Sequence, residues 1–101
     1  MTASQMAELQ VDAVVDIATR DVLTYAAVER LCDPTVVVLV IDLGLVRFFD
    51  ASGLGSLVAI RNASRWMGKT IALARVPEAV RQLMSITELD HHFVVTRLES
   101  R

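Results

Sequence analysis

An α/β fold with a mostly parallel sheet is what this sequence predicts, on three observations. The first is the run from Pro34 to Ile41, apolar and rich in β-branched residues, as in a strand buried on both faces. The second is the change of period that follows, with Leu54, Leu57, Val58 and Arg61 recurring at helical spacing. The third is that strand-like and helix-like stretches keep alternating, which requires crossover connections and hence parallel pairing. At 101 residues the chain can bury one core and not two, so residues 1–101 read as a single domain.

Composition narrows the class. The chain is 53% hydrophobic, which fits a sheet covered on both faces. Charges interrupt every apolar run well short of the ~20 residues a membrane span requires. Residues 1–12 show no basic start followed by an apolar core, so no signal peptide is expected and the location expected is cytoplasmic. The net charge of −2, scattered basic residues and few aromatics give nucleic-acid binding no support. Cys32 is the lone cysteine, which excludes an internal disulfide, and it reads as a small apolar residue at a helix end.

Taken in order, Met1 to Asp12 turns from polar to apolar and leaves room for one strand, around Leu9 to Ile17. Thr19 is the predicted N-cap of a first helix, with Asp21 in its first turn and Val22, Leu23, Ala26, Ala27 and Leu31 as its buried stripe. Asp33-Pro34 ends it. A strand over Thr35–Leu43 comes next, then a loop, then a second helix running to about Met67 and stopped at Gly68-Lys69. Thr70–Val76 is the next strand. Pro77 is placed at the first position of a third helix carrying Ala79, Val80, Leu83, Met84 and Ile86. His92–Leu98 reads as the last strand, which sends His91 and His92 to opposite faces and argues against a metal there. Met67 and Met84 read as core fillers.

The loop before the second helix holds Asp50-Ala51-Ser52-Gly53-Leu54-Gly55. Ser52 sits where an N-cap would sit, and two readings follow. It is a cap and nothing more, or it is a hydroxyl displayed beside free amides that tolerate a phosphate. The loop lacks the Gly-Lys-Ser/Thr ending of a phosphate-binding loop, and Asp50 stands where a nucleophile elbow needs glycine. No base, metal set or cofactor loop pairs with Ser52, so neither enzyme chemistry nor a cofactor is expected. Asp16, from pattern alone, reads equally as a solvated loop carboxylate. In a parallel sheet the loops at Asp16 and at Asp50-Ala51-Ser52 share the carboxyl edge, where sites form.

Phe48-Phe49-Asp50-Ala51-Ser52-Gly53-Leu54-Gly55 resembles the Asp-Ser/Ala-Ser-Gly-Leu-Gly signature of STAS domains, the bacterial anti-sigma-factor antagonists. Val15-Asp16-Ile17-Ala18-Thr19 is similar to that family's Gly-Glu-Leu/Val-Asp-x-x-Thr segment, and the likeness runs from about Val14 to Val95. It implies a STAS-like fold, a mostly parallel four- to five-stranded sheet with helices packed against it. It implies an unphosphorylated protein that binds an anti-sigma factor, a serine kinase of the histidine-kinase-like ATPase type, and so frees a sigma factor for transcription. Phosphorylation of Ser52 would end binding and a phosphatase would restore it. The partner-binding residues so implied are Asp16, Thr19, Asp50, Ala51, Ser52, Gly53 and Leu54. The alternative is a structural, sensory or small-ligand-binding module without phosphorylation. Ala13-Val14 replaces the family's Gly-Glu pair, its opening two-strand hairpin and closing helix are not evident, and Ile86-Thr87-Glu88-Leu89 lacks its usual glycine. A domain shortened at both ends is therefore expected. Either a strand is lost or residues 2–9 supply a reduced one, and an open sheet edge there favours a homodimer.

Overall fold

The computed structural model describes residues 5–97. Its elements are β1 (Met6–Gln10), β2 (Val14–Val15), α1 (Arg20–Leu31), β3 (Val38–Asp42), β4 (Phe48–Phe49), α2 (Ala51–Trp66), β5 (Thr70–Ala74), α3 (Glu78–Ile86), a 3-10 turn (Asp90–His92) and β6 (Val94–Thr96). Four strands form one sheet in the order β1-β3-β5-β6, and β2 pairs with β4 in a separate two-stranded sheet. Every ladder is parallel. Leu39, Ile41, Ile71 and Leu73 form the core with Leu23, Ala27 and Leu31 of α1, Leu54, Leu57 and Ile60 of α2, and Val80 and Met84 of α3. The intervening Val40, Ala72 and Ala74 are buried as well, which is why these strands read as unbroken apolar runs.

The single strand expected over Leu9–Ile17 is two. Val11 N still donates to Asp42 O at 3.0 Å, and the chain then leaves the four-stranded sheet to pair Val14 with Phe48 and Val15 with Phe49. The reduced strand foreseen within residues 2–9 corresponds in its described part to β1, and residues 1–4 lie outside the described residues. The Phe48–Phe49 strand was read as loop because two residues carry no period. β3 is shorter than Thr35–Leu43 and β5 shorter than Thr70–Val76. Val22 is 65% exposed and drops out of the α1 stripe. Met67 caps α2 at the surface, whereas Met84 is core as expected.

Pro77 is the N-cap of α3, one residue before the expected position, because its ψ of 152° is extended. In α3 the side chains of Val80 and Met84 are buried, while Ala79 and Ile86 face outward. His91 and His92 belong to the 3-10 turn and not to a strand, and β6 begins at Val94. Leu98 lies outside the described residues.

Two helices end the same way with different residues. At α2, Lys69 N donates to Ser64 O at 2.8 Å and Gly68 N to Arg65 O at 3.1 Å, with Gly68 at φ 69°. At α3, Leu89 N donates to Met84 O at 2.8 Å and Glu88 N to Ser85 O at 3.1 Å, with Glu88 at φ 59°. Both are Schellman turns. Glu88 thus takes the left-handed position where the resemblance led us to look for glycine. Lys69 also reaches across to the carbonyls of Leu31 and Asp33, satisfying the end of α1 beside Cys32, its exposed C-cap. The Asp33 carboxyl is held below its ordinary value by the Thr35 backbone N–H, then by the Thr35 hydroxyl and the Lys69 charge.

Within the four-stranded sheet β1 is an edge, bonded to β3 alone. Gln5 O and Val11 N bond toward β3, so by strand alternation Met6, Glu8 and Gln10 present their backbone groups outward. Arg30 Nη2 donates to the Glu8 carbonyl and covers the middle of that edge. A charged side chain over an edge is a recognised guard against self-pairing.

Candidate functional site

The β2–β4 ladder brings the two sequence motifs together. Asp16 and Asp50 each stand one residue beyond the register pair Val15 and Phe49, so they are neighbours at the ends of paired strands. Asp50 is the N-cap of α2, and Asp16 opens the turn that leads to Thr19, the N-cap of α1. The Asp50 carboxylate accepts from Ser52 N at 2.9 Å and Gly53 N at 3.4 Å, and its carbonyl accepts from Leu54 N at 3.2 Å. The Asp16 carboxylate accepts from Ala18 N at 2.9 Å and Thr19 N at 3.1 Å, and its carbonyl accepts from Arg20 N at 2.8 Å.

The Asp50 carboxylate caps α2 and the Asp16 carboxylate closes the turn that leads into α1, which corrects the reading of Ser52. Ser52 is the second residue of α2 and not its cap. Thr19 is the N-cap residue of α1, as expected, but makes no side-chain capping bond. Its hydroxyl instead turns back, receiving from Asp16 N at 2.9 Å and donating toward Val14 O and Asp16 Oδ1. The amides imagined as free beside Ser52 are already taken by the Asp50 carboxylate. Asp16, for its part, spends its carboxylate on its own loop and makes no hydrogen bond to Ser52 among the described residues.

Ser52 is half-buried, and its hydroxyl takes no hydrogen bond within the described residues. Ala51 is exposed, and Asp16, Thr19 and Asp50 are half-exposed. Gly53 and Leu54 are buried, so their side-chain positions support the site from beneath and do not offer themselves to a partner. A β-carbon on Gly53 would lie 2.8 Å from the Phe49 ring, so that ring rests on bare helix backbone and sets the pitch of the first turn.

Sequence reasoning missed the apolar rim. Val14 and Phe48, register partners, are exposed, and Ile17 is 72% exposed in the loop after β2. The signal was present as a repeat, two hydrophobic residues followed by aspartate in Val14-Val15-Asp16 and again in Phe48-Phe49-Asp50. It also missed the buried link between the helices, where Thr24 Oγ1 and Ser56 Oγ lie 2.6 Å apart and both bond the Arg20 carbonyl. Deeper at the same edge, buried Asp42 accepts from Gly44 N at 2.9 Å and lies 3.5 Å from Arg75 Nε, which holds the loop after β3. Among the described residues no cluster of three or more His, Cys, Asp or Glu could hold a metal ion, and no helix is long and apolar enough to cross a membrane.

A sheet of parallel strands with helices packed against it, whose carboxyl edge leads into a serine-bearing helix start, has the architecture of a STAS domain. Residues 2–97 match the family described as Mlab, STAS domain, and the chain belongs to that family. The unphosphorylated anti-sigma factor antagonist SpoIIAA is a structural neighbour, with a TM-score of 0.77 and 11% identity over 99% of this chain and 86% of that one. The phosphorylated form of SpoIIAA, a Bacillus cell fate determinant, matches with a TM-score of 0.72 and 11% identity over 99% and 88%. The STAS domain of a SulP transporter from Vibrio cholerae matches with a TM-score of 0.67 and 14% identity over 97% and 78%. At these identities the likeness is one of fold.

Proposed function

We propose that this STAS domain is a phosphorylation-switched anti-sigma factor antagonist. It binds a cytoplasmic anti-sigma factor with serine kinase activity, of the histidine-kinase-like ATPase type, and so releases a sigma factor. The observation that carries this reading is the Ser52 hydroxyl, unbonded within the described residues, on a capped first turn that follows the β2–β4 ladder, where Val14, Phe48 and, in the loop after β2, Ile17 are exposed. Apolar side chains around a single hydroxyl suit a protein surface, and burying them drives association. In the kinase reaction the Ser52 oxygen attacks the γ-phosphorus of ATP. The O–P bond forms as the bond to the β,γ-bridging oxygen breaks, ADP leaves, and the serine proton passes to a base of the kinase. The added charge of about −1.5 to −2 then meets an interface shaped for a hydroxyl, beside the carboxylates of Asp50 and Asp16. A phosphatase returns the serine.

Incubation with a candidate kinase and ATP, followed by intact mass, tests the reading. One phosphate should appear on the wild type and none on Ser52→Ala, and an unmodified wild type across all candidate kinases would refute it. Binding by Asp16, Thr19, Asp50 and Ala51 belongs to the same proposal, with Gly53 and Leu54 as its scaffold. Self-pairing through β1 would have to displace Arg30 from the Glu8 carbonyl, so we propose a homodimer only where that contact opens.

A second reading draws on the cavity of about 450 Å³ between β1, β2 and α1, lined by Leu9, Val11, Val15, Val22, Leu23 and Ala26. A small apolar ligand there would make the domain a sensor without phosphorylation. Retained affinity for the anti-sigma factor in Ser52→Glu would favour it.

A further inference from the structure

The Asp50 carboxylate leaves a phosphate on Ser52 short of a partner. It occupies the amides of Ser52 and Gly53, which would otherwise receive an anion at the start of α2, and it adds a negative charge of its own. A nearby cation has to come from another element, and one is in place. A β-carbon built on Gly55 would lie 3.9 Å from Arg20 Nη1, so the guanidinium lies beside Gly55, just past the first turn of α2. Ser56, on the neighbouring row, donates to the Arg20 carbonyl at 3.3 Å. Ser52 precedes Gly55 by three residues and Ser56 by four, which puts all three on the face of α2 that meets Arg20.

We infer that Arg20 is the clamp for the phosphorylated state, its guanidinium pairing with the phosphate carried by Ser52. The inference rests on the phosphorylation reading above and names the residue that would hold its product. Two features make Arg20 available. Its one ion pair among the described residues is with Asp21, at 3.6 Å between Nε and Oδ1, and the Asp21 side chain is 92% exposed, so solvent leaves that pair weak. Its backbone is anchored by the Ser56 and Thr24 hydroxyls, so the side chain can turn toward the phosphate while α1 stays still. A guanidinium can take two phosphate oxygens at once. The result ties the first turn of α1 to the first turn of α2, exposing a salt-bridged phosphate where the free form shows a bare hydroxyl. Glutamate at position 52 has a carboxylate on a shorter reach and would imitate the charge without the full clamp.

The test installs phosphoserine at position 52 during translation, so that no kinase is required. Phosphorus NMR then follows the second ionisation of the phosphate in the wild type, in Arg20→Gln and in Arg20→Lys. Asp50 and Asp16 act on the phosphate alike in all three, and an added Asp21→Asn change in each background removes the charge that Arg20→Gln would leave unpaired, so the difference reads Arg20. Arg20→Gln should raise that ionisation by about one pH unit, the lower end of what a neighbouring arginine does to an anion, with Arg20→Lys between. Thermal melts complete a cycle, in which installing the phosphate should stabilise the wild type more than Arg20→Gln. Arg20→Gln should fold, because the carbonyl and not the guanidinium carries the bonds to Ser56 and Thr24. Identical titrations in wild type and Arg20→Gln would overturn the clamp. Failure of every kinase to modify Ser52, with the titrations still different, would instead remove the proposed function and leave the clamp as a property of the fold.

Discussion

The turns that Asp16 and Asp50 close are one device built twice, the second running straight into α2 and the first reaching α1 through Thr19, and they differ at the positions that matter. In each, a two-residue strand of the β2–β4 ladder ends in an aspartate that accepts from the second and third residues after it. Aligned this way, Ile17 matches Ala51, Ala18 matches Ser52, Thr19 matches Gly53 and Arg20 matches Leu54. The first start closes on itself, with the Thr19 hydroxyl folded back to Val14 and Asp16. The second leaves its serine hydroxyl unengaged within the described residues and rests a phenyl ring on its glycine. The aspartates are therefore architecture in both loops, and what distinguishes the second is a free hydroxyl on a stiff turn.

The largest effect expected from breaking that comparison is on binding. Ser52→Glu should weaken the anti-sigma complex by more than a hundredfold, about 3 kcal/mol, while Ala18→Glu at the matching position should weaken it less than tenfold. Ser52→Ala should stay bound in the presence of kinase and ATP. Calorimetric titration of the three variants decides this, and equal losses at 18 and 52 would mean that both starts merely border the interface.

Next comes the ring. Gly53→Ala forces Phe49 aside and should cost about 1–3 kcal/mol of stability despite the better helix propensity of alanine. Urea denaturation measures it, and a stabilised variant would show that the ring is loosely seated.

The two aspartates should follow, unequally. The Asp16 carboxylate serves two amides and a hydroxyl, the Asp50 carboxylate two amides, one of them at 3.4 Å. Asp16→Ala should then cost about 2 kcal/mol and Asp50→Ala about 1.

The opposite helix ends offer the smallest test of the same kind. Gly68 and Glu88 hold equivalent left-handed positions, and nothing lies within 4 Å of a β-carbon at Gly68. Gly68→Ala should cost about 1 kcal/mol through backbone conformation alone, and Glu88→Gly should return about 0.5 kcal/mol. Thermal melts read both.

Three helices, the central strands and the Gly68 stop were legible in the sequence because each rests on a pattern within a dozen residues. Apolar runs rich in Val and Ile marked β3, and helical spacing marked Leu54 and Leu57 as buried. The motif around Ser52 was legible as well, since its residues are contiguous. The β2–β4 ladder was not, because two-residue strands have no period and exist only where Val14-Val15 and Phe48-Phe49 meet across more than thirty residues of chain. That ladder decided that Asp50 caps α2, that Ser52 does not, and that Asp16 stands beside both. Packing of α1 against α2 likewise decided that Arg20 lies over Gly55, a contact carried by no local pattern. Local preferences are written in neighbouring residues, whereas which polar group meets which amide depends on where folding sets two distant turns side by side.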